Sequence, residues 1–323
     1  MNRYCFAVTL AVQLLAPLAA YALPASSSNY YAALDSSYGV LKVDPATGAT
    51  LGNLFASPGA TDIELGPDGL LYICNPSLAA IQAVDRTSGV LSHTIPFPVH
   101  PIYDYQLKPL QIAFGPDDRI YVSVNDVPGY GNVYVVEPTA GATPQLFNGT
   151  FSAIPLGLEF GPDGDLYVSA VGYAHFPYRV ERLDGASGVT EAMVASDGLA
   201  YPAAVTFAAD GTFFVGNQGF GSGGWITHHT VDGDYLGMLP VGPTNPYGLS
   251  FLPDGDLIWG NTGSTFKRYD FATQTVSDFG SGFVSAVKMI AIPEPASGVL
   301  LAMAAVMGLL RKARAARGFG LVA

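Results

Sequence analysis

Cysteine is almost missing from this chain of 323 residues, occurring only as Cys5 and Cys74. Cys5 falls in an N-terminal leader, so a single thiol remains after export and no intrachain disulfide framework can hold the fold. Cys74 follows Tyr72 and Ile73 in a strand-like run and reads as a small packed hydrophobe rather than a reactive thiol. Charge is sparse as well, at 12% of residues, and basic charge sparser still. Between residues 23 and 292 there are nine Lys or Arg against 25 Asp or Glu, a net charge of about -16. That balance argues against binding to nucleic acid or to an anionic membrane. The five histidines show no metal-ligand spacing, and His228 and His229, adjacent on one strand, point to opposite faces. No phosphate loop, nucleophile elbow or Ser-His-Asp arrangement is present.

Long apolar runs are confined to the two ends. Residues 1–22 have the layout of a signal peptide: Arg3, then AVTLAVQLLAPLAA, then Ala20-Tyr21-Ala22 as a small-x-small cleavage site. Pro17 and the short run disfavour a spanning anchor. At the other end, Pro293-Glu294-Pro295 precedes ASGVLLAMAAVMGLL and then Arg311, Lys312, Arg314 and Arg317. Read by itself, this is a short membrane-inserting helix with its basic end on the cytoplasmic side. The layout resembles the PEP-CTERM sorting signal of Gram-negative bacteria that make extracellular polysaccharide. The resemblance implies a helix that enters the membrane transiently, an exosortase-type enzyme that processes the chain near Pro293, Glu294 and Pro295, and delivery to the cell surface or extracellular matrix. The expected organisation is therefore a signal peptide (1–22), a body (23–291), a sorting signal (292–317) and a short tail (318–323).

What the body does contain is repetition. LGPDGLLYI (65–73), FGPDDRIYV (114–122), FGPDGDLYV (160–168), FAADGTFFV (207–215) and FLPDGDLIW (251–259) recur at intervals of 44 to 49 residues. Such a period marks one supersecondary unit stacked along or around an axis. Apolar residues alternate on both sides of each Asp-Gly pair, which predicts a tight β-hairpin whose turn tolerates positive φ. In the second copy, Asp118 must adopt the conformation that Gly adopts elsewhere. A second phrase runs out of phase: VDPATGAT (43–50), VDRTSGVL (84–91), VEPTAGAT (136–143), LDGASGVT (183–190), VDGDYLG (231–237) and YDFATQTV (269–276). Its acids, Asp44, Asp85, Glu137, Asp184, Asp232 and Asp270, are placed to accept backbone N–H bonds within a second hairpin.

Five copies of one hairpin and six of the other leave one inner strand unaccounted for. The stretch FVSAVKMIAI near residues 283–291 can supply it by completing the sheet begun at the N-terminus. The expected fold is all-β, a six-bladed propeller whose closing blade is shared between the two ends; an eight-bladed ring or an open solenoid fits the count less well. Over roughly residues 29–291 the phrases resemble NHL-repeat and senescence-marker, or gluconolactonase-like, propellers, a resemblance that speaks to architecture rather than to reaction.

Both repeated turns then lie on one acidic face, while irregular loops lie on the other. These loops carry Tyr103, Tyr105, Tyr130, Tyr173, His175, Phe176, Tyr178, Phe220, Trp225 and Tyr247, the candidates for contact with a ligand. The resemblance to gluconolactonases also implies a search for a divalent-metal site at the channel mouth. Asp62, Glu64, Asn75, Asn217 and Asn261 have suitable donor types, although Asn217 and Asn261 occupy matching repeat positions and equally suit strand ends. No catalytic residue is assigned. Two functions are carried forward: a noncatalytic surface module that binds polysaccharide or protein without a cofactor, and a metal-dependent lactonase or lyase.

Overall fold

The computed structural model describes residues 28–293 except 103, 128–129, 149–152, 173–177, 220–222, 243, 262 and 264. Described residues form 24 strands and no helix, arranged as six four-stranded antiparallel sheets. Blades 2 to 6 each run outward in chain order from an inner strand: Asp62–Leu65, Lys108–Phe114, Ala153–Phe160, Pro202–Phe207 and Leu249–Phe251. Blade 1 is composite, with Ala286–Pro293 as its inner strand beside Ser28–Asp35, Gly39–Val43 and Thr50–Ala56.

The closing register runs from Ser28 opposite Pro293 to Asp35 opposite Ala286. The inner strand therefore begins and ends two to three residues later than the sequence reading of 283–291. Its last residue, Pro293, belongs to the sheet. The other expected sorting residues, Glu294, Pro295, Arg311, Lys312, Arg314 and Arg317, lie outside the described residues, as does the leader. In blades 2 to 6 the inner strand leads into the Pro-Asp-Gly-type turn. In blade 1 the described residues begin and end at that place instead, at Ser28 and Pro293.

Burial follows the layering. Second strands, such as Leu166–Gly172, are buried between neighbouring blades, and hence read as nearly continuous apolar runs. Outer strands, such as Thr275–Phe279, face water along most of their length. Cys74 is fully buried in the core between blades 2 and 3, and burial followed by the nearby Asp62 charge pushes its thiol pKa up.

Both hairpins adopt the chemistry their residues dictate. In all five Pro-Asp-Gly-type turns the aspartate accepts a backbone N–H two residues on: Leu70 to Asp68, Arg119 to Asp117, Asp165 to Asp163, Thr212 to Asp210 and Asp256 to Asp254, at 3.0–3.2 Å. Asp118 takes φ +64°, the left-handed position filled by glycine in the other four turns. In the outer hairpins Asp44, Asp85, Asp184 and Asp270 accept backbone N–H bonds from the turn, and side-chain hydroxyl and backbone bonds together hold their carboxyl pKa values below the usual range, the hydroxyls of Thr47 and Ser187 leading at Asp44 and Asp184 and the backbone at Asp85 and Asp270. Blade 5 departs from the expected alignment. Its third strand ends at His229, so Thr230, not Asp232, occupies the turn-opening position, and its hydroxyl accepts the Asp234 N–H at 3.0 Å.

Candidate functional site

The inner strands surround a cavity of about 1100 Å³ that opens among the Pro-Asp-Gly-type turns. Its walls include Leu65, Phe114, Phe160, Phe207 and Phe251, the residues directly preceding those turns, with Ile290 on the closing strand. Phe114, Phe160 and Phe207 each pack edge-on against the second-strand tyrosine of the preceding blade, with centroids 4.8–5.0 Å apart. One position earlier on the inner strands, Glu64, Ala113, Glu159, Thr206 and Ser250 line the cavity. The sequence signal was present in this column: the acids occur in only two of five copies, so the turn motif does not require them.

The charged groups are unequally partnered. Lys288, on the closing strand, places Nζ 2.9 Å from Asp62 Oδ1 and 2.5 Å from Glu64 Oε1. Asp62 is 2% exposed, and its carboxylate also accepts the backbone N–H groups of Ile63 and Ile112, each at 2.9 Å. It thereby ties blade 2 to blades 1 and 3. Burial opposes the Lys288 charge, but Asp62 and Glu64 outweigh it and push the ammonium pKa up. Burial raises the Glu64 pKa against the pull of Lys288. Glu159 has no ion pair among the described residues; its carboxylate accepts the Phe207 N–H at 3.3 Å, with the Thr206 hydroxyl also favouring its charged form. Burial first, and then the Glu64 charge, push its pKa up to about 7.

Two residues further from the turns than the Ala113 position, Gln111 donates through Nε2 to Ala203 O at 2.9 Å. This bond runs from blade 3 to blade 5 and so crosses the channel in front of blade 4. Gly157 of blade 4 has no side chain at this level, where a Cβ would lie 2.5 Å from Ala204 Cα. The cavity is thus a funnel with its wide end at the turns.

One blade interface differs from those before it. Tyr30, Tyr72, Tyr121 and Tyr167 each donate a hydroxyl to a carbonyl in the outer hairpin of the next blade: Arg86, Pro138, Gly185 and Val231, respectively. Tyr72, Tyr121 and Tyr167 also donate to the aspartate of their own turn at 2.8–3.0 Å. Blade 5 has Phe214 at this position and cannot form the latch. Its ring stacks on His228 with centroids 4.2 Å apart and meets Phe251 and Phe271 at 5.7 and 5.8 Å. The funnel extends into this aromatic seam between blades 5 and 6, where Phe271 is 37% exposed. Burial lowers the His228 pKa, and its Nε2 lies 2.8 Å from Thr212 Oγ1.

The sequence-derived metal candidates do not come together. Asn75 Oδ1 accepts from the backbone N–H groups of Ser77 and Leu78, while its amide donates to Ser57 Oγ and Pro58 O. Asn217 Oδ1 accepts from Ala200 N, and Asn261 Oδ1 from Asn245 N and Thr244 Oγ1. All three cap strand ends, leaving Asp62 and Glu64 with Lys288. Among the described residues no group of three or more His, Cys, Asp or Glu is arranged to hold a metal ion.

Of the aromatic candidates, Tyr103, Tyr173 and His175 lie outside the described residues, along with Phe176 and Phe220, and only the backbone of Tyr130 is described, at the start of a strand. Tyr105 is half-buried in the link between blades 2 and 3, its carbonyl accepting the His100 N–H. Trp225 donates its indole N–H to Gly198 O at 2.7 Å. Tyr178 and Tyr247 both have pKa values raised by burial and then by Tyr201. Tyr201 was not singled out from sequence; its φ of +56° marks the bend that presents it. The funnel lies on the face opposite these loops, the one the sequence reading treated as structural.

No protein-family model matches the chain, and no curated protein sequence does. Similar solved structures share its shape at low identity. A chain in the crystal structure of a nidogen/laminin complex matches with a TM-score of 0.62 at 14% identity, over 80% of this chain and 97% of that one. A putative TolB from Agrobacterium tumefaciens gives 0.57 at 14%, over 81% and 91% of the respective chains. A gluconolactonase from Xanthomonas campestris gives 0.54 at 17%, over 80% of each. Binding and enzymatic propellers both stand among these neighbours, and the likeness establishes a six-bladed β-propeller fold.

Proposed function

We propose that this is an exported, noncatalytic propeller that binds a polysaccharide or protein ligand in the funnel on its turn face. The observation that carries the reading is the funnel: apolar rings around a small number of convergent polar groups, on a rigid ring of blades. The three asparagines that would serve a metal-dependent lactonase are already occupied by backbone and hydroxyl groups. Asp62 and Glu64, the inner-strand carboxylates among the metal candidates, are held by Lys288.

Phe271→Ala is the direct test, because the ring is part-exposed and lines the seam. Glycan arrays and pull-downs with the wild-type body identify a ligand, and the variant should bind it about 3- to 10-fold more weakly, the worth of one aromatic contact. Full binding by the variant would remove the funnel from the reading.

A second reading keeps one specific observation in its favour. Glu159, with its pKa near 7, is suited to general acid–base work in a lactonase or lyase. Turnover of a lactone panel by the purified body, with and without added divalent metal, separates the two; turnover abolished by Glu159→Gln would establish an enzyme.

We also propose that the sorting signal delivers the propeller to the cell surface, on the strength of Pro293-Glu294-Pro295, the apolar stretch and the basic end. Intact mass should show a shorter C-terminus in a wild-type host than in an exosortase-deficient one. Equal masses would exclude such processing.

A further inference from the structure

From the partnering of the carboxylates and the aromatic seam beside them, we infer that the funnel takes an organic cation, a primary alkylammonium carried on an apolar body. This rests on the funnel being the binding site and deepens that reading. Lys288 already pairs with Asp62 and Glu64, so that Asp62, Glu64 and Glu159 are three carboxylates to its one ammonium; the other inner-strand lysine, Lys108, is exposed at the far end of its strand and does not line the cavity. Glu159 is the one of the three without a cation among the described residues, and it lines the cavity with Phe207 next to it in the neighbouring blade. A buried carboxylate gains most from a partner that is charged and donates hydrogen bonds, which an ammonium does and a hydroxyl does less well. The rest of the wall is aromatic. Phe251 and Phe271 lie nearly parallel, at 22° and 6.1 Å, and both line the cavity. Such rings receive the apolar body and add cation–π attraction for a nearby ammonium.

The one cation whose charge reaches Glu159 is Lys288, which pulls its pKa down by less than burial and Glu64 push it up, and which pairs directly with Asp62 and Glu64 instead. Among the residues that line the cavity with it, blade 2 contributes Glu64, blade 3 Ala113 and blade 6 Ser250. Blade 5 contributes Thr206 and, at the rim, Asp210 and His228, whose pKa is lowered by burial and which is therefore neutral above pH 6.5. Lys288 is committed to its two carboxylates and stays protonated throughout.

Calorimetric titration of the body with phenethylammonium, against 2-phenylethanol as a neutral isostere and a lysine-containing peptide, tests the inference. The amine should bind about tenfold more tightly at pH 8 than at pH 6, because Glu159 passes from mostly protonated to mostly ionised across its pKa near 7 while the ligand stays charged. Glu159→Gln, with its melting profile checked against wild type, should weaken binding at pH 8 about tenfold or more and remove the pH dependence. Equal binding of amine and alcohol, or an unchanged affinity in Glu159→Gln, overturns the inference. Binding of the lysyl peptide but not of the free amine overturns it in favour of a protein side chain. A neutral glycan that binds normally to Glu159→Gln but poorly to Phe271→Ala overturns the cation and leaves the funnel reading standing. A ligand indifferent to both substitutions overturns both.

Discussion

Replacing Lys288 with methionine is expected to lower the unfolding free energy by about 3–5 kcal/mol, the usual cost of stranding a buried charge. The loss arises mainly at Asp62, which is 2% exposed and has no other cation among the described residues, and secondarily at Glu64. Urea unfolding at pH 7 measures it. Two controls distinguish charge from packing. At a pH low enough to protonate the carboxylates the penalty should shrink, since a neutral carboxyl does not need the ammonium; for Glu64, whose folded pKa is raised, that relief begins above the ordinary carboxylate range. The triple variant Asp62→Asn, Glu64→Gln, Lys288→Met should recover most of the stability, because a neutral replacement of the whole group has no stranded charge. A loss below about 1 kcal/mol in the single variant would show that the ion pair does not hold the closing strand in place.

Truncation after Gly280 is expected to abolish cooperative folding. The deleted segment buries Phe283, Val287, Met289 and Ile292 in the cores on either side of blade 1. At about 1.5–3 kcal/mol per large apolar side chain, these four represent an upper bound of about 6–12 kcal/mol. That is comparable with the whole stability of an ordinary domain, about 5–15 kcal/mol. The truncation also strips Ser28–Asp35 of its inner partner and exposes an unpaired edge at the centre of the ring. Circular dichroism melting and size-exclusion chromatography check the outcome. A truncated body that melted like the full one would mean that the ring does not depend on its closure.

The fold was legible because its instructions are local. A Pro-Asp-Gly turn specifies its hairpin from its own residues, and even the substituted copy could be read, since Asp118 adopts the left-handed conformation its position demands. Closure was legible from counting, because one hairpin type fell short of the other by one. The alignment of blade 5 was not, as Thr230 and Asp232 both satisfy the turn chemistry and only the strand end at His229 chooses between them. The site was harder still. Glu64 meets a lysine 224 residues away, through a strand whose register depends on ring closure. Asn75, Asn217 and Asn261 have donor atoms of the right kind for a metal, but residue type does not reveal which backbone groups have already claimed them. The funnel's seam likewise depends on Phe214 standing where the three preceding blades have Tyr72, Tyr121 and Tyr167, and becomes meaningful only once the neighbouring blade brings Phe251 and Phe271 against it.

Ser28 and Pro293 stand opposite each other where a sixth Pro-Asp-Gly turn would otherwise be. Topologically the body is a circle that has been cut once, and the cut could have been made in any of six equivalent hairpins. Its actual place has a practical effect. Whatever is attached at either end of the body, whether a purification handle, a fluorophore or a solid support, starts from the rim of the funnel and crowds its mouth. A permuted chain, with residues 293 and 28 joined through a short turn and new ends opened in an outer-strand loop, would present the same cavity with nothing attached at its mouth.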